Sequence, residues 1–321
     1  MKPIRFAVAL ILAAASAHGL AQSYPSRPLV MVVPYAPGGS AEALARVTAK
    51  GMGEVFGQNI VLEMKPGAGG MIGSEYVAKQ SRPDGYTVLF AAASLATNVS
   101  LTKMPFDPRR DLVPISGIAA IPNLLVVAAD GPYRSVADLV SAGRKDPKAL
   151  LFGSSGQGTA SHLTAEMFQL VTKMQMTHVP YKGSGLVYPD LISSRVSLLF
   201  DIFGSAISQI KGGKVRALGV TSGKRSPALP DVPTFVELGY PELEILNWSG
   251  LFARTGTPPE AIAKIGESVA HALQSADMKT WLNQLAAEPM PTDPAAFGRV
   301  FNSEVELGAR LVREGRVQPV N

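Results

Sequence analysis

Short apolar runs alternate with amphipathic segments along most of the chain, and that alternation predicts an α/β protein. Leu29–Val33 is a five-residue run rich in β-branched residues, as a strand buried on both faces requires. Ala43, Leu44 and Val47 then recur at helical spacing behind Ser40, a good N-cap. Strands are expected at Asn59–Met64, Thr87–Ala91, Leu150–Gly153, Met176–Tyr181, Ser197–Phe200 and Val215–Val220. Helices are expected at Met71–Gln80, Ser135–Gly143 and from Thr159, then around Leu186 and Leu191 and at Thr234–Leu238, while Ala93–Leu101 reads as a short helix or an ordered loop. Asn123–Ala129 and Asn247–Phe252 read as strands that cross between two domains. Lys103–Pro114 holds three prolines and reads as irregular. The carboxyl-terminal third predicts helices at Pro258–Ala272, with Thr257 as N-cap, then at Asp277–Ala286 and Pro294–Val312. Such βα repetition predicts a mostly parallel sheet with helices on both faces.

Two loops stand out within this pattern. Pro34-Tyr35-Ala36-Pro37-Gly38-Gly39-Ser40 joins the first strand to its helix, and Ser154-Ser155-Gly156-Gln157-Gly158-Thr159 makes the corresponding turn in the second half. Glycine lets backbone approach a ligand closely, and a helix N-terminus presents N–H groups to an anion. Ligands of open α/β sheets sit beyond the carboxyl ends of the strands, so two such ends facing each other form a cleft for a small anion. An ordinary strand-to-helix connection accounts for either loop taken alone.

The first residues add a location. Lys2 and Arg5 precede the apolar run Phe6–Ala15, and small residues follow with a cleavage site after Ala21, Ala15-Ser16-Ala17 being the alternative. This is the pattern of a signal peptide spanning residues 1–21, and the run is too short to span a bilayer. The chain has no cysteine, which removes disulfides, thiolate chemistry and Cys-ligated metal together. A chain of 321 residues exceeds the usual single core and implies two domains. The formal charge of +5 falls to +3 once Lys2 and Arg5 are removed, and the basic residues are scattered, which gives no footprint for nucleic acid.

Catalytic and nucleotide signatures are missing. Gly156-Gln157-Gly158 meets Ser161 where a dinucleotide fingerprint needs its third glycine, and there is no P-loop or nucleophile elbow. His162, His178 and His271 lack metal-ligand spacing. Ser155 and His162 lie seven residues apart with no acid nearby to orient the histidine, so His162 reads as a brace for the Gly/Ser loop. Glu42 falls in the first helical turn, where it complements the helix dipole.

A resemblance emerges from strings in a fixed order. They are Tyr24-Pro25-Ser26-Arg27-Pro28, Val33-Pro34-Tyr35-Ala36-Pro37-Gly38-Gly39-Ser40, Lys65-Pro66-Gly67-Ala68-Gly69-Gly70 and Pro83-Asp84-Gly85-Tyr86-Thr87. Phe152-Gly153-Ser154-Ser155-Gly156, Val179-Pro180-Tyr181-Lys182-Gly183-Ser184, Leu199-Phe200-Asp201 and Leu229-Pro230-Asp231-Val232-Pro233-Thr234 follow. In this order they resemble the Bug family of exported solute-binding proteins associated with tripartite tricarboxylate transporters. The resemblance implies a two-domain, type II periplasmic binding protein fold of the Venus-flytrap kind with two crossing segments. It implies residues 24–123 and 246–321 in one domain and 124–245 in the other. It also implies a small carboxylate ligand held by main-chain amides and hydroxyls, delivery to transporter membrane subunits, no cofactor, and a monomer. The residues expected to line the ligand are Tyr35, Ala36, Gly39, Ser40, Glu42, Ser94 and Asn98 from one domain. Ser155, Gly158, Thr159, His162, Tyr181 and Asp201 are expected from the other. The family usually carries Asp where this chain has Glu42. A periplasmic sensor that docks a signalling receptor shares the same binding chemistry and stays open as an alternative.

Overall fold

A computed structural model describes residues 24–35, 37, 40–146, 149–285 and 287–319. The expected signal peptide and the candidates Ala36 and Gly39 lie outside the described residues. Strands β1 (Leu29–Val33), β2 (Ile60–Met64) and β3 (Thr87–Ala92) pair in parallel around β1, with helix α1 (Ser40–Phe56) crossing between the first two. Helices α2 (Met71–Glu75), which continues as a wide turn through Gln80, and α3 (Ser94–Leu101) flank β3. After the short α4 (Pro108–Asp111) the chain enters β4 (Leu112–Ala128), a strand of 17 residues.

The second half repeats the design. Helix α5 (Val136–Lys145) starts on a reciprocal capping box in which Ser135 and Asp138 each accept from the other's backbone. Strand β5 (Leu151–Ser154), helix α6 (Ala160–Thr172), strand β6 (Thr177–Pro180), helix α7 (Tyr188–Ile192), strand β7 (Leu198–Ile202), helix α8 (Phe203–Lys211) and strand β8 (Val215–Val220) follow. Strand β9 (Leu246–Arg254) returns to the first half, which closes with α9 (Pro259–Ala272), α10 (Ala276–Gln284), the two-residue β10 (Glu288–Pro289) and α11 (Pro294–Arg313).

The strand order is β2-β1-β3-β9-β4-β7-β5-β6, with β8 and β10 both on β4. The expectation of a mostly parallel sheet needs correction. Pairings at the two outer ends are parallel, but β3 with β9, β4 with β9, and β4 with β7 and β8 are antiparallel. The cause is the two crossing strands, which run against their neighbours. The irregular reading of Lys103–Pro114 is corrected as well, since β4 starts at Leu112 and contains Pro114 and Pro122. Its pairing with β9 slips between Pro114 and Ser116, and Pro122 sits at the last pair, opposite Leu246. Proline is tolerated at a bulge and where a ladder ends, because no donor is needed there. Thr234–Leu238 forms turns rather than a helix, and Thr257 lies one residue before the N-cap of α9, which is Pro258.

Period-two alternation distributes the core to both faces of each sheet. Leu29, Met31, Val33, Val88 and Phe90 pack with α1 and α9, while Val32, Leu89 and Ala91 pack with Trp248, Phe297 and Phe301. In the second sheet Leu125, Val127, Phe152 and Phe200 face one cluster, and Leu124, Val126 and Leu199 face the other. Beyond Pro122 the strand β4 passes from one sheet to the other: Asn123–Val126 pair with β7, and Leu124–Ala128 with β8. Two lobes are therefore joined by β4 and β9, side by side. No helix among the described residues is long and apolar enough to cross a membrane.

Candidate functional site

The strand ends of both lobes converge on a cavity of about 250 Å³ beside the crossing strands. The first lobe supplies Tyr35 after β1, Ala41 and Leu44 of α1, and Ala92 through Ser94 and Thr97 around the start of α3. The second supplies Gly158 and Ala160 at the start of α6 and Ile202 at the end of β7. The crossing strands add Ile121, Asn247, Trp248 and Ser249, and the last helices add Trp281 and Glu304. Among the described residues, no lysine or arginine lines this space.

Its polar groups are few and individually held. Tyr35 Oη and Ser94 Oγ share a hydrogen bond of 3.2 Å, and burial pushes the Tyr35 hydroxyl up, so it stays a neutral donor. Asn247 Nδ2 donates to Ile121 O at 3.3 Å and to Asn123 Oδ1 at 3.0 Å, stitching β9 to β4 where they cross. Asn123, fully buried, donates in turn to Thr164 Oγ1 of α6 at 3.0 Å. Its backbone N–H donates to Thr221 Oγ1 at 2.8 Å. The Trp248 indole Nε1 is buried with no hydrogen-bond partner among the described residues.

The glycine loop of the second lobe is braced from behind. His162 Nδ1 accepts from Gly158 N at 3.0 Å, which leaves the ring proton on Nε2, 3.6 Å from Glu166 Oε1. Glu166 Oε2 accepts from Gln169, whose Oε1 accepts from Met176 N, so the brace runs into the core. The His162 ring stacks on His178 at 3.9 Å between centroids, and His178 stacks on Phe152 at 4.8 Å. Burial, reinforced by His162, pushes His178 down to about 4, so it is neutral at physiological pH. Thr159 occupies the N-cap position of α6 but does not cap it. Its hydroxyl donates to Gly156 O at 2.7 Å and accepts from Ser155 Oγ at 3.1 Å. The first N–H groups of α6 thus carry no side-chain cap, and Ala160 lines the cavity beside them.

The candidate residues therefore separate. Tyr35, Ser94 and Gly158 line the shared cavity, and Asn98 lines a small space next to it with Tyr35 and Ser94. Ser155, Thr159 and His162 shape the Gly158 loop from outside that lining. Ser40 begins α1, and the structure describes nothing of its side chain. Glu42 is ion-paired to Arg46 and lines a separate cavity between α1 and β2. Tyr181 donates to Asp190 Oδ2 at 2.7 Å, and burial pushes its hydroxyl up to about 12. Asp201 is buried under Tyr188 and Ser205, which donate to it at 2.7 and 2.6 Å, and desolvation raises its carboxyl. Both belong to the packing of the second lobe rather than to the cavity lining. The sequence reading missed apolar lining residues such as Leu44, Ile121 and Ile202, and also Thr97 and the residues contributed by β9 and the last helices. Glu304 had a legible signal, because it falls seven residues after Phe297 and shares the apolar face with Phe301, Val305 and Gly308.

Comparison with known proteins fits this geometry. A sequence description of the tripartite tricarboxylate transporter family receptor matches residues 44–316. This chain belongs to that family. Among the family's relatives, a protein from the tcbD-tcbE intergenic region of Pseudomonas sp. strain P51 is 37% identical, over 92% of this chain and 88% of its own length. Protein BugT of Bordetella pertussis is 35% identical over 92% of this chain and 91% of its own. The structure of Rpa4515 from R. palustris with adipate is 34% identical at a TM-score of 0.76, covering 92% of this chain and all of that one. MatC of Rhodopseudomonas palustris with bound malate is 29% identical at a TM-score of 0.73, covering 90% of this chain and all of that one. The fold is thus that of the periplasmic binding proteins in this receptor family.

Proposed function

We propose that this chain is an exported periplasmic solute-binding protein that captures a small carboxylate between its lobes and delivers it to the membrane subunits of a tripartite transporter. The observation that carries the reading is the cavity itself. It lies between the Tyr35–Ser94 pair of one lobe and the uncapped start of α6 in the other, with no lysine or arginine among the described residues of its lining. Such a site holds an anion by hydroxyls and main-chain N–H groups. A helix terminus contributes about 0.3–1 kcal/mol when exposed and up to about 2 kcal/mol when partly buried. Each charge-assisted hydrogen bond contributes about 1.5–3 kcal/mol. Micromolar affinity needs about 8 kcal/mol, which three or four such contacts supply. The family membership and the relatives solved with adipate and malate support the same chemistry.

In this reading residues 24–123 and 246–321 form one domain and 124–245 the other, so both crossings fall within β4 and at the start of β9. Ala36, Gly39 and Ser40 remain ligand candidates from their place in the first loop. The protein acts by binding rather than by turnover, as a monomer, and residues 1–21 direct its export. The test is a thermal-shift and calorimetric screen of the purified protein against compact carboxylates, adipate and malate included. The expected outcome is saturable binding of at least one acid, weakened about tenfold in Tyr35→Phe and in Ser94→Ala with unchanged unfolding of the free protein. Wild-type affinity in both variants, or no binding of any acid, overturns the reading.

A further inference from the structure

At two places on the border of the cavity, a leucine of the first lobe rests on a glycine of the second. Thr97 of α3 lines the cavity, and one helical turn later Leu101 reaches Gly158, where a Cβ would meet Leu101 Cδ1 at 3.3 Å. Trp281 of α10 also lines it, and one turn later Leu285 lies on Gly204 of α8, where a Cβ would meet Leu285 Cδ2 at 2.5 Å. Ile202, two residues before Gly204, lines the same space. The two contacts use different elements of both lobes, so they join the lobes at separate points of the border.

Each leucine is anchored. Leu101 is buried in one cluster with Leu163 of α6, Leu311 of α11 and Val317 beyond it, so the carboxyl-terminal segment seals that contact. Beside it, Gln157 Nε2 donates to Gln318 O at 3.5 Å. Leu285 packs with Trp281 on the core of the first lobe. Gly158, with φ of 74°, is glycine for the sake of its backbone. Gly204 has no such need, because it sits within α8 without a left-handed φ, where glycine only weakens a helix. What it supplies there is room for Leu285.

We propose that the Leu101–Gly158 and Leu285–Gly204 contacts form an apolar latch that keeps the lobes together without a ligand, so that solute enters and leaves through a minor open state. Both contacts join protein groups to protein groups, and removing apolar surface from water favours them whatever the cavity holds. A solute then adds to a closure already favoured instead of causing it. Its binding pays less for closing the lobes, and its exchange waits on the latch. The inference holds for a solute of any chemistry and does not depend on the carboxylate reading.

The chain has two tryptophans, Trp248 and Trp281, and both border the cavity, so acrylamide quenching of the ligand-free protein reports its opening. X-ray scattering of the same samples reports the separation of the lobes. The wild-type protein should resist quenching and scatter as the joined lobes do. Gly204→Leu places a wedge against Leu285, and it should about double the quenching constant and enlarge the radius of gyration. Adding Leu285→Ala gives back the room and should return both readings toward wild type, which separates a wedge from a damaged fold. Leu101→Ala should raise quenching at the other contact. Equal quenching in wild type, Gly204→Leu and Leu101→Ala overturns the latch. So does a Gly204→Leu protein that Leu285→Ala fails to restore, or a ligand-free wild type that already scatters as separated lobes.

Discussion

Single residues here carry opposite pH dependences. Burial raises Glu304 to about 7 in the folded chain, above the ordinary carboxylate value, so its contribution to stability is full at acid pH and is lost as pH rises through 7. His178 is depressed to about 4, so its contribution is full above its ordinary value near 6.5 and is lost as pH falls toward 4. Between pH 4.5 and 6.5 the two slopes oppose each other. Glu304→Gln should therefore unmask stability that climbs with pH, and His178→Gln stability that declines. Each effect should be about 1–2 kcal/mol after allowance for solvent screening, read by urea unfolding across that range. Parallel pH profiles in the two variants would contradict these assignments. At the crossing, Asn123→Ala strips Thr164 Oγ1 of a donor and Asn247 Nδ2 of one acceptor, leaving it only Ile121 O. The expected loss is about 2 kcal/mol in the same measurement.

At the scale of elements, close packing on β9 fixes where α11 lies. Gly250 sits opposite Gly117 of β4, and a Cβ there would meet Phe297 Cζ at 2.2 Å and Ser116 O at 2.7 Å. The ring of the last helix rests directly on the backbone of a crossing strand. Gly250→Ala should cost about 3 kcal/mol by thermal unfolding. Adding Phe297→Leu should restore part of that loss, because the two changes share one contact. A Gly250→Ala protein with wild-type melting would mean that α11 does not seat on β9 in this way. The same seating carries Glu304 to the cavity, so the helix is as much part of the candidate site as the glycine loops.

For the whole molecule, binding between two lobes must stabilise the folded chain. A carboxylate present at 100 times its dissociation constant should add about 2.7 kcal/mol and raise the melting temperature by several degrees. Local pattern in the sequence was enough to place β1, α1, α5 with its Ser135 cap, β8 and the paired strand-to-helix loops, since period and capping chemistry act over a few residues. Of the residues it singled out, Tyr35, Ser94 and Gly158 line the cavity, at strand ends and a glycine turn. It failed where distant segments decide the outcome. Pro114 fell in a stretch that read as irregular, yet it lies in a 17-residue strand whose partner β9 comes from more than a hundred residues later. Tyr181 and Asp201 looked equally fit for the cleft, but hydrogen bonds to Asp190, Tyr188 and Ser205 draw them into the second lobe. Trp248 and Glu304 line the cavity only because β9 and α11 wall it. The sequence by itself determined most of the elements, the two-lobed α/β class and the loops that offer N–H groups. Only the tertiary structure decided which side chains share the cavity, because that depends on contacts between segments far apart in the chain.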